Sequence, residues 1–191
     1  MPTAKPTLEM FSSFLSENGT TMNGISIQIN ASAGMHIRAE RTLHQGEVIA
    51  KIPKDIVLSI RNTAIANVLQ QYEVGGLLGL ALALMFENAQ GTASPWYEYL
   101  SSLPEKVDIP LLWLQIDCLD GTELGDRIKQ DKIALKDDYD SIILPILQEP
   151  IFCPLEEYSF KKFQYASSVV SSRAFYVDEY HQQSLVPLAD M

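Results

Sequence analysis

The chain is poor in cysteine, in histidine and in positive charge. Its two cysteines, Cys118 and Cys153, stand in unrelated contexts among 191 residues. They make neither a disulfide framework nor a zinc ligand set, which points to a reducing compartment, the cytoplasm or the nucleus. The three histidines, His36, His44 and His181, lie too far apart for metal-ligand spacing, so no metal is expected. Lys and Arg total 14 against 24 Asp and Glu, for a formal charge of −10 and a pI near 4.7. That balance excludes the basic footprint of a direct DNA or RNA binder. Long hydrophobic runs are also missing. The longest, Gly75–Phe86, falls well short of the ~20 residues a membrane span needs. The N-terminus has no basic stretch leading into an apolar core, so no signal peptide is read. Without one, Asn18-Gly-Thr and Asn30-Ala-Ser are chance matches to the glycosylation pattern. The glycines around Glu73–Gly79 lack both phosphate-loop spacings and read as the start of a packed helix.

What remains is the composition of a folded domain, 47% apolar and 20% charged, long enough to bury a core. An acidic surface suits a basic protein partner, and suits plain solubility equally well.

Periodicity divides the chain. Residues 7–16 space Leu8, Phe11, Phe14 and Leu15 as a helix. Residues 24–60 change character: Ile25, Ile27 and Ile29 alternate, and short β-like runs follow, broken by Gly34, Gly46 and Pro53. A small, twisted, loop-rich sheet is predicted there. The period then turns helical. "GGLLGLALALMFENA" suits a buried helix, and "SPWYEYLSSLP" places Trp96, Tyr99, Leu100 and Leu103 on one face. "DDYDSIILPILQ" spaces Tyr139, Ile142, Ile143, Ile146 and Leu147 as a core stripe, with Pro145 set to kink or end the helix. Ser159 is placed to cap "FKKFQYASSVVSSRAF", in which Phe163, Ala166, Val170 and Ala174 share a face. "SLVPLAD" returns to extended chain. Trp96 and Trp113 read as core anchors, and Asp137, Asp138 and Asp140 as a solvated helix flank.

Several stretches together resemble one family. "GMHIRAERTLHQGEVIAKIPKDIVLS" is similar to the opening of a SET domain. "SPWYEYLSSLPEKVDIPLLW" and "LDGTELGDRI" are similar to its helical insertion, and "SSRAF" with "SLVPLADM" to the entry of its second half. The combination is that of the Rubisco large-subunit methyltransferase-like class. The resemblance implies an α+β fold with a 1–23 helical segment, first SET strands at 24–60, a helical insertion at 61–183 and a return strand at 184–191.

It also implies a function. These proteins move a methyl group from S-adenosylmethionine to a lysine ε-amine of a protein, here a basic substrate of histone or non-histone type. Ala33, Gly34 and Met35 match the loop that passes the cofactor, with His36 where a second glycine is frequent. Ser172 and Arg173 match the family's Ser-Arg. Arg173 is expected to face the cofactor carboxylate, a role compatible with an arginine answering a helix dipole. Phe175 lines the cofactor or lysine channel, or packs. Asp190 matches the Ala-Asp before the family's Asn-His pair and is expected to hold that turn. The pair and a later channel tyrosine are not found after Asp190. The resemblance therefore reads as a fragment, inactive alone, with a non-catalytic SET-fold module for a basic partner as the alternative. Lysine against histidine as target is left open.

Overall fold

The computed structural model describes residues 8–30, 34–113 and 115–191. Helix α1 (Leu8–Glu17) forms where the apolar spacing places it and buries Phe11, Phe14 and Leu15. Residues 24–60 do not make one sheet. Strand β1 (Thr21–Met22) pairs with β4 (Ala50–Lys51), and β2 (Ile25–Asn30) forms a hairpin with β3 (Gly34–Ala39). Strand β5 (Leu58–Ser59) leaves for a third sheet, built with β6 (Phe175–Tyr176) and β7 (Gln183–Leu185) in the order β5-β7-β6, all antiparallel. The division has a local cause. The β-turn residues and Pro53 cut the chain into runs too short to share one ladder, and Leu58 is fully buried against Leu185 rather than against β4.

Helices α2 (Ala66–Gln71) and α3 (Gly76–Gln90) follow, and α3 is the centre of the core. It is buried from Gly79 to Glu87, as its continuous apolar run predicts. A Cβ on Gly79 would stand 2.8 Å from the Val74 carbonyl oxygen, so only glycine fits that turn. The short α4 (Tyr97–Leu100) and the turns after it bury Trp96, Tyr99, Leu100 and Leu103 together. Trp96 also donates from Nε1 to the Ile56 carbonyl at 2.9 Å, which fastens this segment to the start of β5.

Helix α5 (Glu123–Asp138) is capped by Thr122, whose Oγ1 accepts from the Gly125 N–H. It widens into a π turn at Tyr139–Ile143 and ends in α6 (Leu144–Ile146). Pro145 has no N–H with which to continue the α-helical ladder, and the chain loosens just before it. Tyr139, Ile143, Ile146 and Leu147 are buried, so the predicted stripe stands. Helix α7 (Phe160–Arg173) packs beside α3 through Phe163, Ala166, Val169 and Val170. Ser159 sits at its N-cap position without a side-chain cap bond. The helix ends at Arg173; Ala174, which the spacing places on the helix face, is instead extended, and Phe175 begins β6. Among the described residues, no helix is long and apolar enough to cross a membrane, and no side-chain group is arranged to hold a metal ion.

Candidate functional site

Three short segments converge at one cleft. The first is the β2–β3 hairpin, where Ile29 pairs with Met35 and Asn30 with Gly34. Gly34 has φ +68, the left-handed region that favours glycine, and a Cβ there would meet nothing within 4 Å. The second is Ser101–Pro104, the turn that leaves α4. The third joins Arg173, the last residue of α7, to Asp190 and Met191. Ile29, Gly34, Met35, Leu103, Arg173 and Asp190 are among the residues that line the cleft.

Local structure explains why Arg173 and Asp190 meet across seventeen residues. Ala174 turns the chain out of α7, and β6 and β7 fold back as a hairpin. Asp178 fixes its tip, accepting from the backbone N–H groups of Tyr180 and His181 and from Lys54 Nζ. Those bonds hold its carboxyl well below the usual range. After β7, Ala189 N–H donates to the Val186 carbonyl at 3.1 Å. Leu188 takes φ +76, a strained choice for leucine, with its side chain fully inside the core. The turn returns Asp190 to α7, where Arg173 Nη1 donates to the Asp190 backbone carbonyl.

The Asp190 side chain is the electrostatic centre of this arrangement. It is 7% exposed. Oδ2 accepts from the Tyr99 hydroxyl, and Oδ1 is buried with no hydrogen-bond partner. Desolvation pushes the carboxyl up to about 6, and the Tyr99 hydrogen bond and the Arg173 charge hold it from rising further. Burial and the adjacent carboxylate drive the Tyr99 phenol far above its ordinary value, so it is a donor at all working pH. Arg173 spends one guanidinium N–H on the Asp190 carbonyl and has four more. A cation with spare donors beside a carboxylate with a spare acceptor is complementary to a small group bearing both charges, such as the α-amino-acid end of a ligand.

The cleft is about 130 Å³, below the ~300–1,000 Å³ of a whole small-molecule pocket. It has room for only one end of such a ligand. A larger cleft of about 700 Å³ lies beyond Pro104, between Val107, Leu112, Trp113 and Tyr165. No orphaned buried side-chain atom of the described residues borders it, so the smaller cleft holds the better case for chemistry.

Of the residues singled out from the sequence, the structure brings Gly34, Met35, Arg173 and Asp190 together. Ala33 lies outside the described residues. Ser172 is outside the cleft lining, and its Oγ donates to the Ser168 and Val169 carbonyls of its own helix. Phe175 is 45% exposed on the β6 edge and does not border the cleft. His36 contacts the Gly34 carbonyl through Nδ1 at 3.2 Å. From spacing alone, Tyr99 reads only as core. A buried tyrosine hydroxyl needs a partner, but nothing in the spacing points ninety-one residues ahead to Asp190.

No family model matches the chain. It is 33% identical over 178 residues to an uncharacterized protein of Schizosaccharomyces pombe, covering 83% of this chain and 37% of that protein. It is 27% identical over 155 residues to the N-lysine methyltransferase SETD6 of Mus musculus, covering 75% of this chain and 32% of the relative. The chain thus spans about a third of the length of these curated relatives. Among solved structures, the SET domain of LSMT bound to methyl-lysine and AdoHcy superposes with a TM-score of 0.78 at 22% identity, over 98% of this chain and 44% of that one. Rubisco LSMT bound to AdoMet gives 0.77 at 23% identity, over 97% and 44%. That likeness establishes a shared fold, in keeping with the α+β class read from the sequence.

Proposed function

We propose that the chain belongs to the SET-domain proteins of the Rubisco large-subunit methyltransferase-like class and forms part of an S-adenosylmethionine-dependent protein-lysine N-methyltransferase, a reading supported by its likeness to relatives named N-lysine methyltransferases and by its SET-domain fold. The observation that carries this reading is the convergence of Gly34, Met35, Arg173 and Asp190 on one cleft from segments far apart in sequence. The residues fit the cofactor's amino-acid end. Arg173 has donors free for its carboxylate. Asp190 carries a buried oxygen with no partner, the kind of acceptor an ammonium group would satisfy. Gly34 lets a ligand pass without meeting a side chain.

When bound, S-adenosylmethionine supplies the methyl group that a neutral lysine amine attacks. The chain's own part is to bind and orient. Arg173 and Asp190 fix one end of the cofactor, while the Met35 side chain and Leu103 exclude water from beside it. The relatives named as N-lysine methyltransferases support a protein substrate. The formal charge of −10 supports a basic one, histone or non-histone. The two exposed, unpaired cysteines support a reducing compartment, cytoplasm or nucleus.

Transfer of radiolabel from S-adenosylmethionine to protein lysine by the full-length protein tests the reading. Incorporation is expected, and Arg173→Ala should reduce it at sub-saturating cofactor. Equal incorporation by the variant would overturn the assigned role. Cofactor binding without transfer to any lysine in a basic protein extract would favour the alternative, a non-catalytic SET-fold module that holds a basic partner.

A further inference from the structure

The geometry points to Tyr99 as a positioning residue of the cofactor cleft: through its hydrogen bond to Asp190 it holds the Asp190 carbonyl against Arg173, and so sets the guanidinium that receives the ligand. The inference rests on the cofactor reading above and adds a residue from a different part of the chain. Tyr99 belongs to α4 and touches no open part of the cleft. It is fully buried, with its ring 6.3 Å from that of Phe11. Its hydroxyl reaches Asp190 Oδ2, while Arg173 reaches the main-chain oxygen of the same residue. One residue therefore takes a bond from α4 through its side chain and a bond from α7 through its backbone. With Oδ1 unpartnered, the phenol makes the only side-chain hydrogen bond to the Asp190 carboxyl group among the described residues, beside a weaker contact from Asp190's own backbone N–H. Without it, the carboxylate loses its strongest hydrogen bond in a desolvated place, and the turn that carries the carbonyl is freer to swing away from Arg173.

The charged and titratable groups acting on Asp190 are Tyr99 from α4 and Arg173 from α7, with Tyr165 of α7 near both of them. Tyr99 favours the ionised form of Asp190, as does Arg173. A positioning role therefore leaves a mark that a packing role does not. Loss of the phenol should move the pH at which cofactor binding collapses.

The experiment is calorimetric titration of the full-length protein with S-adenosylmethionine from pH 5 to 8.5. Wild type, Tyr99→Phe, Asp190→Asn and Tyr139→Phe are compared. Tyr139 is the control: its buried hydroxyl donates to the Tyr158 carbonyl, and neither residue lines the cleft. Wild-type affinity should fall as pH drops through about 6. Tyr99→Phe should weaken binding about tenfold at pH 7.5 and move that midpoint upward by about one unit. Asp190→Asn should flatten the profile, and Tyr139→Phe should leave affinity and midpoint in place. An unchanged affinity and midpoint in Tyr99→Phe would overturn the inference while the cofactor reading stood. No binding by the wild type would overturn the cofactor reading itself. Should Tyr99→Phe fail to fold, the wild-type and Asp190→Asn profiles decide, and a flat wild-type profile contradicts the inference.

Discussion

Two regions of the molecule bury a carboxylate, and they treat it differently. At the end of α3, Glu87 is 2% exposed and both of its oxygens are used. Oε1 accepts from Thr63 Oγ1 at 2.7 Å and from the Ala64 N–H at 3.3 Å, and Oε2 accepts from Ser94 Oγ at 2.8 Å. The turn after β7 buries Asp190 with one oxygen bonded and the other orphaned. A buried acid with every lone pair engaged ties elements together. One with an acceptor to spare keeps an unfavourable local balance that a ligand can relieve. The contrast assigns Glu87 to the scaffold and Asp190 to the site.

The most severe way to test the contrast is to remove the scaffold acid. Glu87→Ala leaves two buried hydroxyls without an acceptor, and should lower the unfolding free energy by about 3–4 kcal/mol in urea titration. The protein that stays folded should bind S-adenosylmethionine as before. A selective loss of binding would put Glu87 in the site and erase the distinction.

Removing the site acid should show the opposite sign. The folded-state carboxyl of Asp190 lies at about 6, above its ordinary value of 3.8. The folded protein thus holds this proton more tightly than the unfolded chain does. The group's contribution to stability is greatest below pH 4 and declines as pH rises through about 6, by about 2–3 kcal/mol. Asp190→Asn should remove that decline, as read from urea midpoints at pH 4, 5, 6 and 7. A variant with the wild-type slope in this window would mean that Asp190 is not strained.

Arg173→Ala should cost cofactor affinity about thirtyfold in calorimetry, with a smaller effect on the melting temperature than Glu87→Ala. The surface supplies the smallest effect. Arg41 and Glu47 form an exposed pair on the β1–β4 side, and the contact holds the Glu47 carboxyl down at about 2. Arg41→Ala should shift the melting temperature least of all these variants, and added salt should shrink the shift further.

The scaffold half of this contrast was more legible in the sequence than the site half. Continuous apolar chain placed α3, and helical spacing placed the Tyr139–Leu147 stripe, because a helix writes its buried face locally. Sheets do not. The two-residue pairings of β1 with β4 and of β5 with β7 join positions that no local period connects. Glu87 left one trace, a lone acid at the end of an apolar run, and the hydroxyls that satisfy it could not be named from spacing. Gly34, Met35, Arg173 and Asp190 came from the resemblance alone. Their meeting depends on a left-handed Leu188 and on a tyrosine from another segment, features fixed by tertiary packing.

A structure of the full-length protein with S-adenosylmethionine or S-adenosylhomocysteine tests the central claim most directly. The ligand's carboxylate should lie within hydrogen-bond distance of Arg173, its ammonium group beside Asp190, and its path along Gly34 and Met35. A ligand seated instead in the larger cleft at Val107, Trp113 and Tyr165, with Arg173 and Asp190 untouched, would contradict it.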